Sequence, residues 1–338
     1  MKLATKPTVQ TLGDYAYQAI EKHVKKTLKW EKLVKKDEDP EALHQMRVGM
    51  RRLRTAVSRF GLALNFPKPV SDKNIGKIAR RLGNLRDLDV LKETLETNYK
   101  PHLSSKEQKY LHTAFDALEK QRIHAFSTVQ TTLKDEPYKS LKQSLAEWLA
   151  APTYHPLASV AIQQVLPDLL LPEVSSFLLH PGWLMGTQFV ESELTICKDW
   201  EAEKVEKQLT NQGEELHNLR KQAKRVRYQM ELFTDLYGES YMAYIADVKN
   251  IQDTLGELQD SEVLTEWLED IFGSEMKTHL SGLTDLLVEN RYKLWQQWQP
   301  LQERYLKVES RHGFHLTILH PLELVSDSES ETSEQIAE

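Results

Sequence analysis

The sequence has few cysteines and lacks both a signal peptide and a long uninterrupted apolar tract, which are the features expected of secreted or membrane proteins. It contains one cysteine, Cys197, which excludes a disulfide framework and any zinc site built from several cysteines. Its first residues lack the apolar stretch of a signal peptide. The longest apolar tract, about 166–179, is interrupted by Pro167 and Pro172, and it is too broken to span a bilayer. We therefore expect a cytoplasmic protein with no membrane partner.

Net positive charge is also lacking. The 338 residues carry 44 Lys and Arg against 50 Asp and Glu, a formal net charge of −6, so the chain has no overall basic signature. Six of the acidic residues and no Lys or Arg lie in 321–338. The remainder is close to neutral and can still hold strong local fields. We interpret 311–338 as a C-terminal arm and a disordered acidic tail, with 313–319 as a short strand or extended arm on the body.

Glycine and proline, at 13 residues each, are scarce, and alternating runs of β-branched residues are few. Apolar residues instead recur at spacings of three and four, which predicts amphipathic helices and an all-α fold. Asp39 followed by Pro40 is typical of a helix start. The expected long helices cover 10–36, 40–64, 72–99, 104–134, 186–210, 214–237, 240–270 and 275–307, and the proline-rich stretch 137–182 is expected to be a connecting insertion of shorter helices and turns.

Two motifs recur at a constant distance along the chain. The segment 44–54 matches 217–227, and the segment 82–90 matches 255–263, both at an offset of 173 residues. Two motifs that keep one register indicate an internal duplication. We therefore expect two four-helix bundles related by a pseudo-two-fold axis. The expected organisation is one domain over 8–310, with half 1 at about 10–136, the insertion 137–182, and half 2 at about 183–307.

Each copy of the first motif places basic residues along one face of a helix, beside an apolar face. The basic stripe of the first copy consists of His44, Arg47, Arg51 and Arg54, with Arg52 flanking it. The stripe of the second copy consists of His217, Arg220, Lys224 and Arg227, with Arg225 in the flanking position. The residues expected to face the core are Leu43, Met46, Met50, Leu53, Val57 and Phe60 in the first copy, and Leu216, Leu219, Ala223, Val226, Met230 and Phe233 in the second.

A basic helix stripe is most often a solvated face, but three features here favour an anion-binding groove. No acidic residue occurs between Val48 and Phe60, so pairs within the helix do not neutralise the arginines. The stripe adjoins the apolar face, and it occurs twice. Guanidinium groups donate paired hydrogen bonds to phosphate and stay charged. Asp87 and Asp260 are the expected structural partners of an arginine in their own half. Further basic residues expected to contribute are Lys22, Lys25, Lys26, Lys29, Arg81 and Arg86.

The residues alone leave several functional classes open: a polyanion-binding module, a nucleic-acid-binding protein, a phosphoanhydride hydrolase, or a helical scaffold without a ligand. Nucleic-acid binding needs aromatic groups for stacking beside the basic residues, and the stripes contain none before Tyr228. A hydrolase needs a nucleophile or a metal-holding carboxylate cluster. The candidate carboxylates are Asp87, Asp89, Asp260 and Glu262. Positive neighbours make His44 and His217 poor metal ligands, so we expect no metal site.

With these motifs the sequence resembles the CHAD family, named for a conserved histidine α-helical domain. The resemblance rests on 44–54, 82–90, 217–228 and 255–263, and it covers about 10–307. It implies a pair of four-helix bundles facing each other across a basic central channel. It also implies that the channel binds long-chain inorganic polyphosphate without catalysis or a cofactor, in some members at polyphosphate granules. Gln259 stands where the family pattern has Arg before Asp260, a departure that bears on the symmetry of the second half.

Overall fold

Capping side chains start several of the long helices. In the computed structural model, which describes residues 10–191 and 193–322, the Asp39 carboxylate accepts the Glu41 N–H at 2.8 Å and Pro40 occupies the first helical turn. The start predicted at these residues is therefore confirmed. Ser104 and Glu107 form a reciprocal capping box at a second helix. Such caps satisfy N–H groups that the helix itself leaves without partners.

Helices make up nearly all of the regular structure, so the all-α expectation is confirmed. The first part of the chain forms α1 (Leu12–Lys29), α2 (Glu31–Val34), α3 (Pro40–Phe60), α4 (Asp72–Arg81), α5 (Gly83–Thr94) and α6 (Ser105–Thr132). The middle part forms α7 (Glu136–Ala150) and α8 (Ile162–Leu178). The last part forms β1 (Thr187–Val190), β2 (Glu193–Ile196), α9 (Ala202–Met230), α10 (Glu239–Phe272), α11 (Met276–His279), α12 (Ser281–Leu306) and α13 (Val308–Leu319).

The helices that carry the basic stripes, α3 and α9, contact each other. Phe60 at the end of α3 and Phe233 just after α9 meet edge to face, with ring centroids 5.8 Å apart, and Tyr15 stacks on Phe233. Phe60 and Phe233 are 173 positions apart, the offset of the two motifs. A contact between equivalent positions is what one expects beside a two-fold axis, although the duplication itself stays a prediction.

The apolar faces of α3 and α9 form the centre of the main core. All the residues predicted to face inward, from Leu43 to Phe60 and from Leu216 to Phe233, are buried. They belong to one continuous cluster that draws on both halves. A second, smaller cluster includes Leu264 of α10. Burial of the apolar faces removes them from water, and it fixes which way the adjoining basic stripes point.

The expected helix over 186–210 is wrong in its first part. It contains β1 and β2 instead, which pair as an antiparallel hairpin. Gly186 and Glu191 adopt left-handed backbone angles, with φ of +73° and +49°, which a helix does not tolerate and a turn uses. After the hairpin, α9 runs without a break from Ala202 to Met230. It therefore joins what the sequence divides into two helices.

Two other segments differ from expectation. The stretch 313–319, interpreted as a strand or an extended arm, lies within α13, because Phe314 and Ile318 are one turn apart and both are buried; α13 packs against α8, α10 and α12. The expected helix over 72–99 is divided at Leu82 into α4 and α5. The acidic tail over 323–338 lies outside the described residues.

The proline-rich stretch 137–182 forms the shorter helices predicted, and it also builds part of the body. Its second helix, α8, continues through Pro167 and Pro172. It packs along α9, as α1 packs along α3. This stretch therefore provides α9 with the flanking helix that α1 provides for α3. Within the described ranges, no helix has both the length and the apolar character needed to cross a membrane.

Candidate anion-binding groove

Residues of both basic stripes line one groove of about 630 Å³. Its walls come from α3, from the corner between α4 and α5, and from α9. The basic side chains that line it are Arg47, Arg51, Arg54, Arg80, Lys221, Lys224 and Arg225, and the acidic ones are Asp72 and Asp87. The groove therefore has an excess of positive charge, although the whole chain has a formal net charge of −6.

Arg47 is held in the groove wall by Asp87. Its Nη2 donates to Asp87 Oδ1 at 3.3 Å, and the residue is 8% exposed. Gly83 leaves room for the guanidinium, because a Cβ at that position would lie 2.6 Å from Arg47 Nη1. Burial lowers the pKa of Arg47, and the Asp87 charge opposes that shift. The expected pairing of Asp87 with an arginine of its own half is therefore present.

The second half repeats this arrangement more loosely. Arg220 lies 3.9 Å from Asp260, and a Cβ at Gly256 would lie 3.0 Å from Arg220 Nε. Each of these residues is 173 positions after its counterpart in the first half. Desolvation raises the pKa of Asp260, Arg220 opposes the rise, and the Asp87 carboxylate adds to it.

Arg54 forms a two-pronged ion pair with Asp72. Its Nε and Nη2 donate to the two carboxylate oxygens at 2.8 and 2.9 Å, the bidentate geometry that arginine and carboxylate favour. These hydrogen bonds raise the pKa of Arg54. Gly76 lies beneath the guanidinium, since a Cβ there would be 3.1 Å from Arg54 Cζ. Arg54 is thus committed to Asp72 in this structure.

Glu231, at the C-cap of α9, holds arginines from both basic helices. It accepts from Arg52 of α3 at 3.1 Å and lies 3.3 Å from Nε of Arg227. The Arg227 guanidinium also lies over the Tyr228 ring, 4.8 Å from its centroid. Both arginines were predicted to bind the ligand, but Arg52 joins α3 to the end of α9, Arg227 pairs with Glu231 within the end of α9, and neither lines the groove.

Glu173 of α8 holds a second pair of arginines. It accepts from Arg59 of α3 at 3.3 Å and from Arg225 of α9 at 2.6 Å. Arg59 also donates to the Gln229 side chain. Arg225 lines the groove but is engaged from behind by this carboxylate, so a helix of the predicted insertion helps to fix the groove wall.

Four basic side chains of the groove form no ion pair with any residue that the structure describes. They are Arg51, Arg80, Lys221 and Lys224. Arg80 and Lys221 are exposed, whereas Arg51 and Lys224 are half-buried. Burial, followed by the charges of Arg51 and Arg220, lowers the pKa of Lys224 to about 7. The positive field in the groove is therefore not balanced by the surrounding carboxylates.

The two motif histidines lie outside the groove. His44 and His217 are half-buried on α3 and α9 and are not among the lining residues. Burial lowers the pKa of both imidazoles, with Arg86 adding to the effect at His44 and Lys221 at His217. Burial therefore favours the neutral form of both rings. In the part of the chain that is described, no group of three or more His, Cys, Asp and Glu side chains is placed to hold a metal ion.

The secondary basic residues are dispersed outside the groove. Lys22 lines a separate cavity of about 320 Å³ with His23 and Arg52, and Tyr228 contributes to both cavities. Three others on α1 are Lys25, which pairs with Glu21, half-buried Lys26, and Lys29, which lies over the Trp30 ring. Arg81 pairs with Asp135, and Arg86 lies near Glu93. These residues contribute to the general field but do not line the groove.

Three charged residues of the groove are absent from the sequence-based prediction. Arg80 and Asp72 belong to α4, and the break at Leu82 separates α4 from α5 and lets both helices form one wall. Lys221 adjoins Arg220 in the motif but stands off the stripe on an ideal helix. The signal available for Arg80 is its position just before the motif that begins at Leu82.

Comparison with known proteins gives a family and a fold. A family model described as CHAD domain matches residues 18–269. The chain is similar to the crystal structure of the CHAD domain from the plant Ricinus communis, with 22% sequence identity, 96% of each chain covered and a TM-score of 0.57. It is also similar to PptA from Streptomyces chartreusis, with 13% identity, 87% of this chain and 100% of that chain covered, and a TM-score of 0.63. No curated protein matches the chain.

Proposed function

The chain belongs to the CHAD family, and on that basis we propose that it is a non-enzymatic binding module for inorganic polyphosphate. The proposed site is the groove between α3, α9 and the α4–α5 corner. Polyphosphate is a linear polymer with a negative charge on every phosphate. A run of cationic donors along an open groove suits such a polymer better than a closed pocket.

The observation that carries the proposal is the position of Arg51 and Lys224. Both face the groove, and neither pairs with a carboxylate of the described residues. Crowded cations repel one another, and burial together with that repulsion lowers the pKa of Lys224. A bound phosphate chain would supply the missing counter-charges. Arg51 can donate to two oxygens at once, and Lys224 adds a point charge.

The paired arginines have a different part in this proposal. The Arg47 side chain is 10% exposed, whereas its partner Asp87 is 71% exposed. The guanidinium is therefore buried behind the carboxylate and acts on a ligand mainly through its field. Exposed Arg80 and Lys221 extend the cationic surface beyond the half-buried pair, which supports binding of a chain longer than the groove.

A titration with long-chain polyphosphate at low and moderate salt tests the proposal. Binding should weaken steeply as salt is added, by the counterion-release logic known for nucleic acids. The double variant Arg51→Glu/Lys224→Glu should lose binding. The control Lys106→Glu/Lys109→Glu changes net charge by the same amount at exposed positions of α6 and should retain it. Unimpaired binding by the groove variant, or no binding by the native protein at low salt, would contradict the proposal.

Nucleic acid is the alternative polyanion. Tyr228 is the aromatic side chain that lines the groove, but it is 7% exposed and its ring lies beneath the Arg227 guanidinium. Its face is therefore poorly placed to stack on a base. Competition at equal phosphate concentration decides between the two: unlabelled polyphosphate should displace labelled polyphosphate more effectively than single-stranded DNA does.

The non-enzymatic part of the proposal is supported by the engagement of the groove carboxylates. Asp72 accepts from Arg54 through both of its oxygens, and Asp87 in the groove and Asp89 outside it each accept from an arginine through one oxygen, which makes these carboxylates less available to hold a catalytic metal. We expect no release of phosphate from polyphosphate in the presence of Mg²⁺. Phosphate release would overturn this part alone. We also propose association with polyphosphate granules, which imaging of a fluorescent fusion would test.

A further inference from the structure

Lys224 differs from the other lysine of the groove. It is half-buried and forms no ion pair with any described residue. Lys221 lies about one turn away on the same helix and lines the same groove. It is exposed, and its amine donates to the Asn218 side chain at 3.2 Å. The chain thus contains two lysines in one groove with different surroundings.

The surroundings of Lys224 favour its neutral amine. The charges of Arg51, Arg220 and Arg47 act on it in that order, after the effect of burial, and lower its pKa to about 7. A much larger fraction of Lys224 than of an ordinary lysine therefore carries a neutral amine near pH 7. A desolvated lysine beside other cations is a recognised form of activated nucleophile.

We propose that Lys224 is a site of covalent acylation by small acyl phosphates, which bind in the groove through their phosphate group. This inference rests on the proposed function, because the guanidinium groups that would hold polyphosphate would also hold the phosphate of the reagent. An acyl phosphate combines the two properties that the site selects: it is a phosphate-bearing anion and an electrophile.

The step is a simple acyl transfer. The neutral Nζ of Lys224 attacks the carbonyl carbon of the acyl phosphate, and a C–N bond forms. The bond between that carbon and the phosphate oxygen breaks, and phosphate leaves with the electron pair. The proton lost from the nitrogen passes to the departing phosphate or to water. The products are an amide at Lys224 and hydrogen phosphate, with no oxidant or reductant involved. Arg51 stabilises the charge on the leaving phosphate.

Acylation would change the charge of the groove. The amide nitrogen is neutral, so the groove loses one cation and its affinity for polyanions falls. A bound polyphosphate chain would cover Lys224 and protect it from the reagent. The acyl phosphate and the polymer therefore compete for one site, and the modification weakens the later binding of the polymer.

The test is incubation of the full chain with acetyl phosphate near pH 7.5, followed by quantitative peptide mass spectrometry. Lys224 should be acetylated at least about ten-fold faster than Lys221 or Lys106, and its rate should saturate with reagent concentration. Polyphosphate should suppress acetylation of Lys224 and leave that of Lys106 unchanged. Arg51→Ala should slow the reaction at Lys224. Circular dichroism checks that this variant is folded.

Acetic anhydride provides the comparison reagent, because it is neutral and reports nucleophilicity without phosphate binding. The preference for Lys224 should be larger with acetyl phosphate than with the anhydride. Equal preferences, or a rate at Lys224 no greater than at Lys221, would overturn the inference. Polyphosphate binding without selective acetylation of Lys224 would overturn this inference and leave the proposed function unaffected. Selective acetylation of Lys224 without polyphosphate binding would instead contradict the proposed function.

Discussion

Glu231 accepts a hydrogen bond from Arg52 at 3.1 Å and so joins the end of α9 to α3. The same carboxylate lies 3.3 Å from Arg227, so one acid holds a cation from each basic helix. Walls lined by like charges repel each other, and a carboxylate shared between the walls opposes that repulsion. Glu173 has the same role on α8. The shape of the groove depends on these acids, and its charge depends on the cations that they leave unpaired.

Glu231→Gln should destabilise the folded protein. The substitution keeps the size of the side chain but removes the charge that Arg52 and Arg227 share, and the Glu231 side chain is only 23% exposed. Breaking a partly buried ion pair in this way costs about 2 kcal/mol. Urea denaturation of the native and variant proteins measures the change in the free energy of unfolding.

Glu303→Gln is the matched control. Glu303 lies 2.8 Å from Lys198, but both side chains are well exposed, and exposed pairs contribute little. The Glu303→Gln variant should have its unfolding midpoint at the same urea concentration as the native protein. Equal effects of the two substitutions would show that the bridge between α3 and α9 has no special structural importance.

The sequence predicts the faces of α3 and α9 well because helical periodicity is a local property. Met46 and Phe60 point inward for the same reason that Arg51 points away from the core, and that reason needs only the 3.6-residue repeat. The repeat of the motif adds that a second helix behaves alike. Together these features predict two basic stripes, and the resemblance to the CHAD family implies that the two halves face each other across a basic channel.

Which carboxylate, if any, pairs with each basic side chain could not be predicted in the same way. Arg51 and Arg52 are neighbours in the sequence, yet Arg52 pairs with Glu231 and Arg51 pairs with none of the described residues. Glu231 is 179 positions from Arg52, so only the packing of α3 on α9 brings them together. Likewise, Arg80 lines the groove because the helix is interrupted at Leu82, between α4 and α5. Long-range pairing of this kind leaves no periodic signal in the sequence.

Gly83→Ala should disturb the groove although alanine favours helices. The new Cβ would lie 2.6 Å from Nη1 of Arg47, so the guanidinium must shift from the position in which it contacts Asp87. The gain in helix propensity, which is small because Gly83 is the first residue of α5, should be offset by the weakened contact between Arg47 and Asp87. We expect no net gain in stability and a change of several-fold in polyphosphate affinity, measured by thermal unfolding and by titration.

Gly238→Ala is the control for Gly83→Ala. The nearest atom that its Cβ would meet is 3.9 Å away, an ordinary van der Waals contact, and Gly238 lies outside the groove. Polyphosphate affinity should be native in this variant. A native affinity in Gly83→Ala as well would show that the placement of Arg47 does not matter for binding.

Polyphosphate binding should weaken as the pH rises above about 7. Free Lys224 has a pKa of about 7, and a bound anion favours its charged form and raises that pKa. Affinity is therefore highest below pH 7, where Lys224 is already charged, and falls above it as binding requires uptake of a proton. Titrations at pH 6, 7 and 8 measure the trend, and calorimetry in two buffers measures the proton uptake.

Lys224→Arg separates this effect from other titrations. Arginine stays charged over the whole range, so the variant should bind with little change between pH 6 and 8 and without proton uptake. A pH profile as steep as that of the native protein would assign the dependence to another group.

Lys224→Met should stabilise the free protein and weaken polyphosphate binding. Because the folded pKa of Lys224 lies below its ordinary value of 10.5, this residue destabilises the fold below about pH 7, and the penalty is relieved as the pH rises toward 10.5. Removing the charge should therefore add on the order of 1–2 kcal/mol at pH 6, after screening by solvent and salt, and much less at pH 9. Thermal unfolding without ligand at both pH values measures this gain. Lys221→Met, at the exposed position one turn away, should give no comparable pH-dependent gain.

Because binding stabilises the folded state by mass action, added polyphosphate should raise the melting temperature of the native protein more than that of Lys224→Met. A variant that gained stability without losing affinity would show that the strain at Lys224 serves some purpose other than anion binding.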